Sequence, residues 1–146
     1  MGRILLLASV LTFSGCIQTI AIRTVGGILD NGFEAFNEES DLQLAGEALA
    51  ANLKLVEALV KGDSTNERLL LLASQGYSAY ALAFAEDQDP GRAKTLYLRG
   101  REYALRILRD NSALRAGLEG DLQTFESALR MTSREDVPAL VGAAFG

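Results

Sequence analysis

The sequence predicts an all-α fold of stacked helical hairpins. After Cys16, apolar residues recur at three- and four-residue spacing through most of the chain. Strand-type alternation never persists beyond a few residues. Breaks in the periodic stretches carry helix start and stop signals, at Ser40-Asp41, at Gly62-Asp63-Ser64-Thr65 and at Gln88-Asp89-Pro90. With 146 residues, the chain can bury one core and is short for two domains.

Each element follows from its residues. Ile20, Val25, Ile28, Leu29, Phe33 and Phe36 have helical spacing, although Gly26, Gly27 and Gly32 weaken a helix there. Ser40 or Asp41 suits the N-cap of a helix running to Lys61. That helix carries one stripe of Leu42, Ala45, Leu49, Leu53, Val56 and Val60, and a second of Leu44, Ala48, Ala51, Leu55 and Leu59. Two stripes predict contact with neighbours on two sides. Glu57 and Lys61 are spaced to pair on its wet edge. A further helix is expected from about Asn66 to Glu86. Asp89 and Pro90 then suit the N-cap and first position of the next, whose face is Ala93, Leu96, Tyr97, Gly100, Tyr103, Ala104, Ile107 and Leu108. The short turn between these two makes them antiparallel neighbours. Folding about residue 88 sets Gly76 level with Gly100, Tyr80 near Leu96 and Ala73 near Tyr103. Residues 111–120 read as less regular. Asp121 to Met131 reads as a helix with Leu122, Phe125, Ala128 and Leu129 inward. Val137-Pro138 opens a last apolar segment that buries nothing visible, so the chain is expected to be the N-terminal portion of a longer array.

The amino terminus has the layout of an export signal: Arg3, an apolar run from Ile4 to Leu11, then Ser14-Gly15 before Cys16. Small residues directly before a cysteine are the lipobox pattern, with Phe13 where leucine is usual. Residues 1–15 are thus expected to be a lipoprotein signal peptide, Cys16 the acylated first residue, and 16–146 the helical domain. An ordinary signal peptide and a core helix with a buried cysteine are the alternatives. Ile4–Leu11 is shorter than the ~20 apolar residues of a membrane span. Leu69–Ala85 is richer, but Ser74, Gln75, Gly76 and Ser78 interrupt it. It reads as a central bundle helix, with a span as the alternative.

Composition narrows the chemistry. A formal charge of −5 argues against nucleic acid as a partner. One cysteine excludes an internal disulfide, and with no histidine most zinc and haem ligand sets are excluded too. The carboxylates show no EF-hand spacing. No cofactor or metal is expected. The pairs Glu38-Glu39, Glu86-Asp87 and Glu135-Asp136 fall at helix ends, where capping and solvation explain them. No nucleophile elbow or phosphate loop occurs, so no catalysis is expected.

Arg92, Lys94, Arg99, Arg101, Arg106 and Arg109 gather on one predicted helix of an acidic chain. Arg92, Arg99 and Arg106 share a face at heptad spacing. Such a strip suits an anionic ligand, a lipid headgroup or an acidic partner. Ordinary pairing with carboxylates on neighbouring helices explains it more simply. Tyr77, Tyr80, Tyr97 and Tyr103 fall on the same two helices, as core rings or as the lining of a cavity. Ala51-x3-Leu55-x2-Ala58 and Ala93-x3-Tyr97-x2-Gly100 share the small-large-small pattern of tetratricopeptide hairpins. The copies lie further apart than that repeat length, and a generic helical bundle explains the spacing equally well.

The stretch Leu69-Leu70-Leu71-Leu72-Ala73-Ser74-Gln75-Gly76-Tyr77, with Tyr80-Ala81-Leu82-Ala83-Phe84, resembles the T-component of TRAP transporters. So do Glu86-Asp87, Asp89-Pro90-x-Arg92-Ala93 and Leu96-Tyr97-x-Arg99-Gly100-Arg101-x-Tyr103-Ala104-Leu105. Asn52-Leu53-Lys54-Leu55 and Glu57-x-Leu59-x-Lys61 fit as well. The resemblance is dense over about residues 38–110. It implies a degenerate tetratricopeptide-like array on a periplasmic lipoprotein. The implied partners are a periplasmic solute-binding P-component and, through it, a membrane permease. The role implied is to hold ligand or pass it on, and the family supplies no catalytic residues. A small organic anion or a lipophilic molecule is the expected ligand class; a homo-oligomer is one candidate assembly, and the sequence leaves the oligomeric state open. Tyr77, Tyr80, Arg99 and Tyr103 are the candidates for a cavity or contact surface. Ile17 follows the cysteine, where aspartate often retains lipoproteins at the inner membrane, so the outer membrane is the expected location. A structural scaffold for envelope assembly, with no small ligand, is the rival reading.

Overall fold

The computed structural model describes residues 38–145, together with Gly32, Ala35 and Phe36. Cys16 and most of the Ile20–Phe36 stretch lie outside the described residues. Among the described residues the chain forms helices and turns, with no strand. The helices are α1 (Leu42–Gly62), α2 (Glu67–Phe84), α3 (Pro90–Asp110), α4 (Ser112–Glu119), α5 (Leu122–Leu129) and α6 (Val137–Ala144). None is long and apolar enough to cross a membrane, so the Leu69–Ala85 stretch is the body of a packed helix.

Short polar side chains start the helices. Asp41 accepts hydrogen bonds from the Gln43 and Leu44 amides at 3.0 and 3.1 Å. Asn66 accepts from Leu69, Asp89 from Arg92 and Asp121 from Thr124. Each cap satisfies amides that have no partner within the helix and is worth ~1 kcal/mol. Pro90 takes the first turn of α3, where its missing N–H costs nothing. Residues 111–120, expected to be irregular, instead form α4. Asn111 caps it through the Ala113 and Leu114 amides. α2 stops two residues short of Glu86, and a tight turn over Ala85–Asp89 reverses the chain.

The antiparallel α2–α3 hairpin is the most extensively packed pair. Gly100 permits it. A Cβ there would lie 2.8 Å from the Ser74 carbonyl oxygen and 3.3 Å from the Tyr77 Cβ. The expected register therefore holds to within a turn. Tyr80 and Leu96 meet in one cluster, and Tyr103 packs on the cluster containing Ala73. α1 lies on α2 through Leu49, Leu53, Val56 and Val60. Of its second stripe, Leu59 packs on the core, while Leu44 is 52% and Leu55 46% exposed. The expectation of neighbours on two sides of α1 is thus met at Leu59 and not at Leu44 or Leu55.

The C-terminal helices form a second centre. Leu108 of α3, Leu114 of α4, Ala128 of α5 and Ala139 of α6 converge. α4 and α5 close on each other at Gly117, where a Cβ would sit 2.7 Å from that of Ala128. Leu122, expected inward, is 72% exposed. α6, expected to bury nothing, packs on α3 and α2 through Ala139 and Gly142. Its contact is made by small residues, which a search for large apolar groups passes over.

Tyr97 ties the α2–α3 turn to the chain end. Its hydroxyl donates to Glu86 Oε2 at 2.6 Å, and its ring stacks on Phe145. The hydrogen bond to Glu86, helped by burial and by the Glu86 charge, pushes the phenol up to about 12. The folded chain then keeps a proton that the unfolded chain releases near pH 10, so this contribution fades as pH rises above about 10. Tyr97→Phe is expected to lose less melting temperature than the wild type between about pH 9 and about pH 11. Equal losses would show that Tyr97 does not report the alkaline transition.

Candidate functional site: a basic groove lined with tyrosine

α1 and α3 both pack against α2, which leaves a groove between them with α2 as its floor. α3 sends Arg92, Arg99 and Arg106 into it at heptad spacing. Each guanidinium sits over a tyrosine ring: Arg92 over Tyr80 at 5.5 Å, Arg99 over Tyr77 at 5.0 Å and Arg106 over Tyr103 at 5.7 Å. Such contacts are worth ~0.5–2 kcal/mol, more as they desolvate. The Tyr77 and Tyr103 rings are stacked, 6.1 Å apart and 11° from parallel. Arg92 also donates to the Tyr80 hydroxyl, and Arg106 to the Ser64 carbonyl at the end of α1.

Glu57 of α1 joins the walls. Its Oε1 accepts from Arg99 at 2.6 Å and from the Tyr103 hydroxyl at 3.1 Å, and its Oε2 from Lys54 at 2.8 Å. The carboxylate is 11% exposed, whereas Arg99 is 48% exposed. Burial alone would raise the Glu57 pKa, but the hydrogen bonds from Lys54 and Tyr103 and the Arg99 charge outweigh it and hold the carboxyl below its usual range. The bridge is therefore present at neutral pH and is lost only in acid, as pH falls through that depressed value. The expected Glu57–Lys61 pair is replaced by these contacts.

Tyr77 is 2% exposed. Its buried hydroxyl lies against the Glu57 carboxylate without a hydrogen bond of good geometry. Burial and the neighbouring carboxylate keep this phenol protonated far above the usual range.

The Glu57–Arg99 bridge divides the groove into two chambers. One, of about 170 Å³, is walled by Lys54, Tyr77, Tyr80, Arg92 and Arg99 with Leu53 and Leu96. The other, of about 300 Å³, holds Glu57, Lys61, Tyr103 and Arg106. Along the whole groove, Lys54, Lys61, Arg92, Arg99 and Arg106 face one carboxylate. In a chain of net charge −5 this is a local reversal of sign. The surface offers hydrogen-bond donors and aromatic faces, a setting for holding an anion.

All four residues singled out from the sequence, Tyr77, Tyr80, Arg99 and Tyr103, lie on this groove. Arg92 and Arg106 belong with them. The simpler expectation, pairing with carboxylates on neighbouring helices, holds for Arg99–Glu57, whereas Arg109 pairs with Glu102 of its own helix. Of the tyrosines, Tyr77 is a core ring, Tyr80 and Tyr103 are half-buried in the groove, and Tyr97 turns away. Sequence reasoning missed Lys54 and Glu57 as site residues. The lone carboxylate facing three arginines at heptad spacing is the signal that could have found Glu57. A separate apolar cleft of about 350 Å³ lies between α2 and α6, among Leu82, Val137, Val141 and Phe145.

Residues 38–146 match the TRAP transporter T-component family, and that span includes the whole groove. An uncharacterised protein of Treponema pallidum (strain Nichols) is 33% identical over 121 residues, covering 72% of this chain and 38% of that relative. The chain thus spans well under half the length of that relative. No solved structure matches this chain. On the family match over most of its length, the chain belongs to the TRAP transporter T-component family.

Proposed function

We propose that this chain is a non-catalytic, lipid-anchored component of a TRAP-type uptake system, set on the periplasmic face of the outer membrane through Cys16. It docks with the solute-binding P-component and holds or passes on its ligand. The observation that carries this reading is the basic groove in an acidic chain. A small organic anion suits its arginines and tyrosine hydroxyls, and an acidic edge of the P-component suits its open rim. The apolar cleft between α2 and α6 is the place for a lipophilic ligand. It also favours the second reading, a scaffold for envelope assembly, because exposed apolar surface of that kind serves protein contacts.

Purified P-component passed over immobilised chain tests the reading. Binding is expected, weakening with salt, and Arg99→Ala with Arg106→Ala is expected to weaken it about tenfold or more. Capture of envelope assembly factors with no binding of the P-component would replace transport by scaffolding.

A further inference from the structure

We infer that Glu57 is a displaceable latch over an anion seat in the smaller chamber. The inference rests on the groove being the ligand-facing surface proposed above. Glu57 already shows how these side chains grip a carboxylate: Arg99 and Tyr103 hold one of its oxygens and Lys54 the other. Two of those donors, Lys54 and Arg99, also line the smaller chamber, which has no carboxylate of its own. Arg92 stands at its far side, and Tyr77 forms part of its wall. Leu53, Leu96 and Ala50 complete the walls. The seat therefore suits an anionic head, a carboxylate or a similar oxyanion, carried on a compact apolar body.

An incoming anion takes Arg99 and Lys54 from Glu57. The displaced carboxylate has somewhere to go. Lys61 lies one helical turn further along α1 and lines the larger chamber. Residues four apart on a helix face each other, and Glu ahead of Lys is the better order. Glu57 thus has two positions, one spanning the groove to Arg99 and one lying along its own helix on Lys61. Ligand entry and release of the α1–α3 bridge become one event. The groove is closed to weak anions and open to those that compete for Arg99.

Calorimetric titration with benzoate, with benzamide as its neutral counterpart, tests this on the full chain. Glu57→Gln is expected to bind benzoate about tenfold more tightly than the wild type, the weight of one charge-assisted hydrogen bond no longer contested. Removing a negative charge anywhere nearby would also help an anion, so Glu57→Asp is the deciding variant. It keeps the charge on a shorter arm that does not reach Arg99, and it is expected to tighten benzoate binding as well. Benzamide binding is expected to stay unchanged in both. Adding Arg99→Ala to Glu57→Gln is expected to abolish the gain. Glu57→Asp binding benzoate no better than wild type, or no binding by any variant, overturns the latch. P-component binding by the wild-type chain is read separately. It can succeed while the latch fails, or fail while the latch holds.

Discussion

Gly100→Val is expected to destabilise the fold by roughly 3 kcal/mol, more than the usual range centre for overpacking, because the added atoms meet backbone. The nearest neighbour of a new Cβ is the Ser74 carbonyl oxygen at 2.8 Å, with Ser78 Oγ at 3.0 Å. Neither can swing away as the tip of a long side chain could, since one is main chain in mid-helix and the other is a short arm. The better helix propensity of valine over glycine returns only about 0.5 kcal/mol. For a domain of this size the melting temperature should fall by roughly 10 °C. Gly91→Ala is the control. Its Cβ would meet Asp89 Oδ1 at 3.4 Å, an ordinary contact on an exposed turn. It should be neutral or slightly stabilising. Thermal melts of both variants check the pair, and a Gly100→Val chain that melts with the wild type would mean that α2 and α3 are not so closely apposed.

Leu108→Ala carries the second large effect, about 3 kcal/mol from lost burial and the cavity left behind. Leu108 is 1% exposed and meets Leu114, Ala128 and Ala139. Those partners come from α4, α5 and α6, each only eight residues long. Helices so short have little stability apart from packing. The damage should therefore concentrate in the C-terminal half. Native-state hydrogen exchange is expected to show greater loss of protection in α4–α6 than in α1. Uniform loss across all helices would mean that the two centres unfold as one.

The local signals were legible and the long-range ones were not. Asp41, Asn66, Asp89 and Asp121 act on amides within three residues, so their caps could be read in sequence order. α4 was missed because Gly117 and Gly120 look like breakers. Gly117 is in fact where α5 closes in, a fact carried by another helix. Leu122 was assigned to the wrong face because an eight-residue helix has too few turns for its period to fix a direction. The three arginines at heptad spacing were visible as a strip on one face. Its partner was not, since Glu57 lies 46 residues before Tyr103 and reaches it only after α1 has settled on α2. The charge pattern could show that a basic strip existed, but not that a single carboxylate would be strung across it.

The three arginine–tyrosine contacts have a consequence for alignment. Two of the rings, Tyr77 and Tyr80, ride on α2, while every guanidinium rides on α3. Sliding one rod past the other by a single turn would unseat both of those cations together and pull Arg99 off Glu57. The gripping surface is thus also the gauge that fixes how the two rods mesh. A chain folded out of step would lose this surface, so under the proposed function recognition would itself discriminate against misassembled copies.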